Sequence, residues 1–515
     1  MASSPDNGMT IIEAPASGQP LSADPDPIAA FLGRCLSGPV NTPVVIESFA
    51  AFERWFGGRW SGSSLADQLY LFFQHGGLRA IVVRLANNAT GGTLLLPTRG
   101  APIEFCLQNP GSGERVRVSV DYDGVDDDQQ FNLIVQRTDH TARRILDQEI
   151  HSGLSIDPAS DNEFSQRLAS STLIRTVGSV PAVMDRPLAT ESPRVGGGIA
   201  YVGLDSFGRD GDELTDYDFV GSDKSRTGLF ALDSVPHFDF LYACSAKGLA
   251  FSGAAFAYAA ERYCAARNAM LIVDPPADCR DAEALLDWRR SGAPDSANIL
   301  AYFPAVAHRH DADETRHSAA GAIMGLLCRQ DREQHVFYTL ADNVGQNSAA
   351  LQRDWIAADP LSTDEALMLL NAGVNPILTG SQRRLLFPGL VTAANRRDRR
   401  SGVLAQQRLC QFILRQVEQG TRWAVFSAFD DALRSSVEQQ VGQFMEALQQ
   451  RGAFETDGYS KGWSVRCDGG VGARDQLRIF LAFRPVGAGS PFMYTVTQRS
   501  DGTSACRTAF EYDAG

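Results

Sequence analysis

The side chains best suited to chemistry in this sequence are His308, His310 and Asp311, with Asp313 and His317 close behind. Imidazole and carboxylate donors this near one another can ligate zinc or another divalent ion. The segment falls between a strand and a helix, however, and lacks a rigid spacing such as His-Glu-x-x-His on one helical face. A solvated loop is the plainer account. Asp121, Asp123, Asp126, Asp127 and Asp128 surround Gly124 and resemble the oxygen ligands of a calcium loop. The closing Glu of such a loop is missing and period-two patterning flanks it, so an acidic hairpin tip is expected instead. Gly196, Gly197 and Gly198 precede the strand-like Ile199–Val202, the wrong order for a phosphate-cradling turn, and no Gly-x-x-x-x-Gly-Lys-Ser/Thr occurs. There is no Gly-x-Ser-x-Gly elbow either. Catalysis is therefore not expected, and no metal or cofactor is assigned. The enzyme alternative that remains is an α/β metal-dependent enzyme using His308 or His310.

One charged cluster stands apart. Arg396, Arg397, Arg399 and Arg400 put four guanidinium groups within five residues. Such groups repel unless they face solvent, carboxylates or an acidic partner. A solvated helix entrance and a charged contact to a neighbouring subunit are both open.

The elements that would carry these residues belong to a chain of 515 residues, long enough for two to four domains. Hydrophobic residues make up 44% and charged residues 21%, ordinary values for a soluble globular protein. A net charge of -14 argues against a nucleic-acid coat or a general binder of anionic membranes, which need a basic surface. The nine cysteines show no Cys-x-x-Cys pair, and Cys264 and Cys410 fall on or near apolar helix faces. They read as packed thiols in a reducing cytoplasm. The first residues lack the basic and apolar regions of a signal peptide, and the longest apolar run, Leu249–Ala260, is too short to span a bilayer. A cytoplasmic product is expected, without insertion into a membrane.

Along the chain, residues 1–26 form a Pro-, Gly- and Ser-rich arm holding one apolar island, Met9–Ala14, which needs a sheet edge supplied from elsewhere. Residues 27–90 read as strand, short strand, a helix opened by Ser48 and closed by Gly57-Gly58, a second helix and the strand Arg79–Leu85. Residues 91–217 change texture to alternating, turn-rich segments, including a hairpin around Asp123 and Gly124 and a short helix over Phe164–Arg175. Residues 218–490 resume helix and strand in alternation. Phe238–Cys244, Gly253–Arg267 and Met270–Asp274 form a βαβ unit, which predicts a mixed α/β fold with a partly parallel sheet. Trp423–Ser427 reads as a short buried strand between two helices, with Asp430 and Asp431 where the second helix needs an N-cap. Residues 491–515 read as extended C-terminal strands.

The block from Asn395 to Asp468 carries an arginine-rich start, the Trp423–Ser427 run, a long helix, Gly452-Ala453-Phe454 and a strand ending in Cys467-Asp468. In this order it resembles the C-terminal core of contractile tail sheath proteins. The resemblance continues through Gly38-Pro-Val-Asn-Thr-Pro43, Phe52–Gly58, Leu173–Arg175, Gly228–Leu232, Val273–Pro276 and Asn371–Asn375, and covers most of the chain. It implies a sheath-type α/β core, an inserted β-rich outer domain at 91–217 and strand arms at both ends. Thr10, Ile11 and Ile12, and Thr508, Phe510 and Tyr512, would then add as strands to sheets of neighbouring subunits. The implied partners are the chain itself, as a helical homopolymer of stacked rings, an inner tail tube that the arginine cluster could contact, and baseplate and terminator proteins. The implied location is the cytoplasm of the producing bacterium and then the virion or a released phage-like particle. Departures at Phe387–Thr392 and Thr339–Asn343 keep a non-contractile baseplate or end-cap paralogue as the alternative.

Overall fold

The computed structural model describes residues 21–125, 127–177, 185–190, 199–244, 253–309, 316–340, 355–380, 385–394, 402–427, 430–456, 461–469, 476–499 and 502–507. They fall into two compact units. One comprises Pro27–Glu333 and Thr339–Arg397, the other Met1–Asp26, Gln334–Tyr338 and Asp398–Gly515.

The larger unit begins with β1 (Ala29–Gly33), β2 (Val44–Ile46), α1 (Phe49–Phe56), α2 (Leu65–Gln74) and β3 (Ala80–Arg84). Local chemistry sets α1: the Ser48 hydroxyl accepts from the Ala51 N–H, and Gly57 closes the helix at φ 84, a left-handed turn that glycine adopts without a Cβ penalty. The chain then leaves the core through β4 (Thr93–Leu96), β5 (Ile103–Leu107), β6 (Val116–Asp121), β7 (Gln130–Thr138), β8 (Ile145–Ser155), α3 (Phe164–Leu168) and β9 (Ile174–Thr176). These make two three-stranded sheets, β4-β5-β9 and β6-β7-β8, around one apolar cluster that includes Phe105, Val118, Phe131 and Phe164. The hairpin β6–β7 is antiparallel, as the alternation predicts. The helix expected over Phe164–Arg175 stops at Leu168. The Ser171 N–H bonds back to the Leu168 carbonyl, and the Ser171 hydroxyl accepts from the N–H groups of Leu173 and Ile174, turning the chain into β9.

The core resumes with α4 (Asp216–Val220), β10 (Phe240–Ala243), α5 (Ala254–Ala266), β11 (Met270–Val273), α6 (Ala282–Ser291), β12 (Ile299–Phe303), β13 (Val306–His308), β14 (Arg316–His317), α7 (Ala320–Glu333), β15 (Trp355–Ala357), α8 (Thr363–Asn371), β16 (Asn375–Pro376), β17 (Leu378–Thr379) and β18 (Leu385–Leu386). Seven strands form the main sheet in the order β16-β12-β11-β10-β1-β3-β2. All neighbours in it are parallel except the edge pair β3–β2. Strands buried on both faces read as unbroken apolar runs, and β1, β3, β10, β11 and β12 are buried at every residue. Phe219 and Phe256 of α4 and α5 cover one face with Leu32 and Leu241, while Phe72 of α2 meets Phe31 edge-on from the other.

The smaller unit packs α9 (Leu404–Gly420) and α10 (Asp431–Gln450) on the antiparallel sheet β19 (Trp463–Gly469), β20 (Gln476–Phe483), β21 (Phe492–Arg499) and β22 (Gly502–Arg507). Asp430 caps α10 by accepting from the Leu433 N–H, and Val437, Val441, Phe444, Met445 and Leu448 form its buried stripe, as expected from the sequence. The Trp423–Ser427 strand is corrected: Arg422–Phe426 is a 3₁₀ turn. Successive bonds from Ala424 to Thr421 and from Ser427 to Ala424 wind it, only Ala424 is buried within it, and Phe426 stands 90% exposed.

Candidate assembly surfaces

His308 and His317 do come together, each edge-on to the Trp355 ring, at 5.3 and 5.5 Å between centroids. Both lie in the small sheet β14-β13-β15, where β13 pairs with each neighbour. His310, Asp311 and Asp313 lie outside the described residues. Among the described residues no group of three or more His, Cys, Asp or Glu is placed to hold a metal ion. In the acidic turn, the Asp121 carboxylate is taken up locally, accepting from the Asp123 N–H at 3.1 Å and the Asn132 amide at 2.7 Å. Gly196–Gly198 also lie outside the described residues.

An open parallel sheet binds ligands where its strand order reverses, beyond the carboxyl ends of the strands. Here that point lies between β1 and β10, and among the described residues side chains pack closely against it. Even a methyl group on Gly33 would meet Leu65 and the Cys244 carbonyl at 3.0 Å. Cys35 and Cys244 beside it are buried, and burial pushes the Cys35 thiol up to about 12 and the Cys244 thiol well above its usual range. Neither thiol is a nucleophile at neutral pH. Next along the sheet edge, Asp274 accepts from the Tyr242 hydroxyl at 2.5 Å and the Ser318 hydroxyl at 2.7 Å. Burial raises this carboxyl, and the cavity it lines measures about 10 Å³, room for one water. Gln68 ties the cluster to α7 by donating to the Ser318 carbonyl and accepting from the Gly321 N–H. The arrangement stitches helices to the sheet.

A second polar cluster fixes the β-rich insertion to the core. Glu114 and Arg137 pair at 2.8 Å with side chains 1% and 4% exposed. Glu114 also accepts from the Gly38 N–H, and Arg137 donates to the Trp55 carbonyl at 2.8 Å. Arg84, 1% exposed, reaches the carbonyls of Gly38 at 2.5 Å and Pro110 at 2.7 Å. Asp210 accepts from the Ser112 N–H and hydroxyl, and Arg34 donates to the Asp210 carbonyl. Buried charges persist only when paired and hydrogen-bonded, so this junction holds one geometry.

In the smaller unit the root of the N-terminal arm is seated. Leu21 packs over Gly420, where any Cβ would collide with it, and Ala23 joins the core. The Ala23 carbonyl accepts from His335 Nε2 and from Arg451, both at 2.7 Å, and Arg451 pairs with Asp24 at 2.6 Å. His335 is 1% exposed, stacked on Phe337 at 4.6 Å and edge-on to Phe412. Its pKa falls from 6.5 to about 4, chiefly through burial, with Arg451 and Arg408 contributing and the Ala23 bond and Asp24 opposing the shift. The unfolded chain therefore binds a proton that the native state refuses. Stability is full above pH 6.5 and falls as pH drops from 6.5 toward 4. Denaturant unfolding across this window should show the decline in the native chain and a flatter profile in His335→Gln. Equal profiles would place the imidazole in water.

The expected arm strands Thr10, Ile11, Ile12, Thr508, Phe510 and Tyr512, and the cluster Arg396, Arg397, Arg399 and Arg400, lie outside the described residues. Much of the expected C-terminal strand segment belongs to the chain's own sheet, because β21 pairs with β20 and β22 with β21. Among the described residues β19 and β22 are the two edges of that sheet, where a further strand can add. Among the described residues, no helix is long and apolar enough to cross a membrane.

No protein-family model matches the sequence, and no curated relative matches it. Solved structures do match. The sheath tail protein of Listeria innocua aligns over 92% of this chain and 94% of its own, with a TM-score of 0.60 at 12% identity. The sheath tail protein of Desulfitobacterium hafniense covers 96% and 100% with a TM-score of 0.52 at 14% identity. The helical sheath of the anti-feeding prophage in its contracted state covers 100% and 99% with a TM-score of 0.52 at 13% identity. Across nearly its whole length, this chain has the fold of contractile tail sheath proteins.

Proposed function

We propose that this protein is a structural subunit of a contractile tail sheath. It polymerises helically around an inner tube and contracts to drive the tube through a target envelope. The observation that carries this reading is the end-to-end likeness to sheath proteins, 92% of this chain against 94% of the Listeria innocua protein. The closely packed switch point of the parallel sheet supports a structural part over a catalyst. In this reading the arms at Thr10–Ile12 and Thr508–Tyr512 add strands to neighbouring sheets, and backbone hydrogen bonds hold the lattice. The contact is heterologous, so it propagates into a tube instead of closing on itself. Contraction is a switch between two packings of rigid cores, the second lower in free energy, and needs no nucleotide. Subunits accumulate in the cytoplasm of the producing bacterium and leave as part of a virion or phage-like particle with its tube, baseplate and terminator. Arg396, Arg397, Arg399 and Arg400 meet the tube or an adjacent subunit.

Negative-stain electron microscopy of the concentrated protein tests this directly. Hollow tubes with a regular helical repeat are expected, and deletion of residues 1–14 should abolish them while leaving folded subunits. Closed rings in place of tubes would favour a baseplate or end-cap role. Monomers unaffected by the deletion would remove the strand-exchange mechanism.

A further inference from the structure

The β6–β7 hairpin of the insertion carries opposite charge at its two ends. At the turn, Asp123, Asp127 and Asp128 are exposed and none is in an ion pair among the described residues. Arg186 lies nearby but donates to the backbone carbonyls of Asp127 and Gln130 and covers Tyr122. The tip of the turn stands clear of the fold, since a Cβ added to Gly124 would meet nothing within 4 Å, while Asp128 lines a cleft with Arg99, Asp185 and Arg186.

At the foot of the same hairpin is a cleft of about 480 Å³ between the C-terminal turn of α1 and the β7–β8 loop. Arg54, Arg115, His140 and Arg144 line it. Two of its carboxylates are already committed: Glu114 to Arg137, and Asp139 to the Thr141 hydroxyl and the N–H groups of Arg143 and Arg144. Among the described residues Arg115 donates to the Ser112 and Glu114 carbonyls and lies over Phe207. The Asp139 carboxylate stays charged on its neutral donors, so the lining sets Arg54, Arg115, Arg137 and Arg144 against Glu53, Glu114 and Asp139 and keeps a net positive charge, on a chain whose net charge is -14.

We propose that the arginine-lined cleft receives the acidic β6–β7 turn of a second copy of this chain. A molecule cannot fill its own cleft, because the six residues of β6 at about 3.3 Å each hold turn and foot roughly 20 Å apart on a paired ladder. The contact is heterologous: the copy that lends its turn keeps an open cleft, and the copy that receives it keeps a free turn, so the interaction repeats along a polymer. Single exposed ion pairs contribute little, but several charges converging on a concave site fix orientation and reject other approaches between acidic molecules. The proposal rests on the sheath reading only in taking the partner to be another copy.

The test uses two full-length variants with exposed substitutions: Asp123→Lys with Asp127→Lys and Asp128→Lys at the turn, and Arg54→Glu with Arg144→Glu at the cleft. Sedimentation velocity and negative stain are read on each variant alone and on the mixture, with circular dichroism confirming folding. Each variant alone should lose association. The mixture should recover it, since a lysine turn meets a glutamate cleft and a native turn meets a native cleft. Rising salt should weaken the native contact. Native tubes with both variants assembling normally, or a mixture that stays dissociated, would overturn the contact and leave the sheath reading intact. Association lost in both variants and restored in the mixture, but without tubes, would keep the contact and remove the sheath reading. A native chain monomeric at every concentration would remove both.

Discussion

Replacing Glu114 by Ala is expected to lower the stability of the larger unit by about 3–5 kcal/mol, the cost of leaving a buried charge without its partner. The substitution strands the Arg137 guanidinium, whose side chain is 4% exposed, and the Gly38 N–H that Glu114 also accepts. Arg137 cannot escape to water easily, because it is also bound to the Trp55 carbonyl at the end of α1. Removing both charges is a different experiment. Glu114→Leu combined with Arg137→Met should recover much of the loss, since a buried pair replaced by apolar side chains of similar size is often close to neutral. Urea unfolding of the native chain, Glu114→Leu alone, Arg137→Met alone and the double variant gives the coupling. A single-variant cost below about 1 kcal/mol would mean that the pair is solvated like an ordinary surface bridge. The outcome bears on function because this junction fixes the hairpin that carries both the acidic turn and the arginine cleft.

What could be read in the sequence follows from the range of the interactions involved. The helix α1 was legible because Ser48 and Gly57 act within a turn of it. The βαβ unit from β10 to β11 was legible because doubly buried parallel strands leave continuous apolar runs. Trp423–Phe426 misled because a short apolar run has no period, and the deciding facts were its bonds three residues apart and its lack of a strand partner. The junction had no local signature, with Arg34 and Asp210 lying 176 residues apart. A trace of it was present in β7, where Phe131, Leu133 and Val135 share one face and the same alternation carries Arg137 inward with them. A charged residue on a strand's apolar face announces a buried partner without naming it. The arm strands rest on the resemblance and the arginine cluster on its charge run, and both lie outside the described residues.

Gly321→Leu is expected to destabilise the larger unit by about 3 kcal/mol or more, at the upper end of overpacking costs. Gly321 and Gly325, one turn apart on α7, lie against the backbone carbonyls of Gln68 and Phe72, one turn apart on α2. A Cβ at either position would stand under 3.0 Å from those oxygens, a separation real Cβ atoms do not adopt. Backbone cannot rotate aside as a side chain can, so the helices must part. Parting them breaks the Gln68 bonds to Ser318 and Gly321 and draws the Ser318 hydroxyl from Asp274, leaving a buried carboxyl short of a donor. Gly321→Ala should act in the same direction and less strongly, since alanine returns about 0.5–1 kcal/mol of helix propensity. Gly442 in α10 supplies the control, because an added Cβ there meets only Trp463 at an ordinary 3.6 Å. Gly442→Ala should therefore stabilise its own unit by about 0.5–1 kcal/mol. Opposite signs in thermal or urea unfolding would show that close backbone approach, not helix propensity, governs α7. A stabilising Gly321→Ala would mean that the two helices can separate freely and that their close approach is not required.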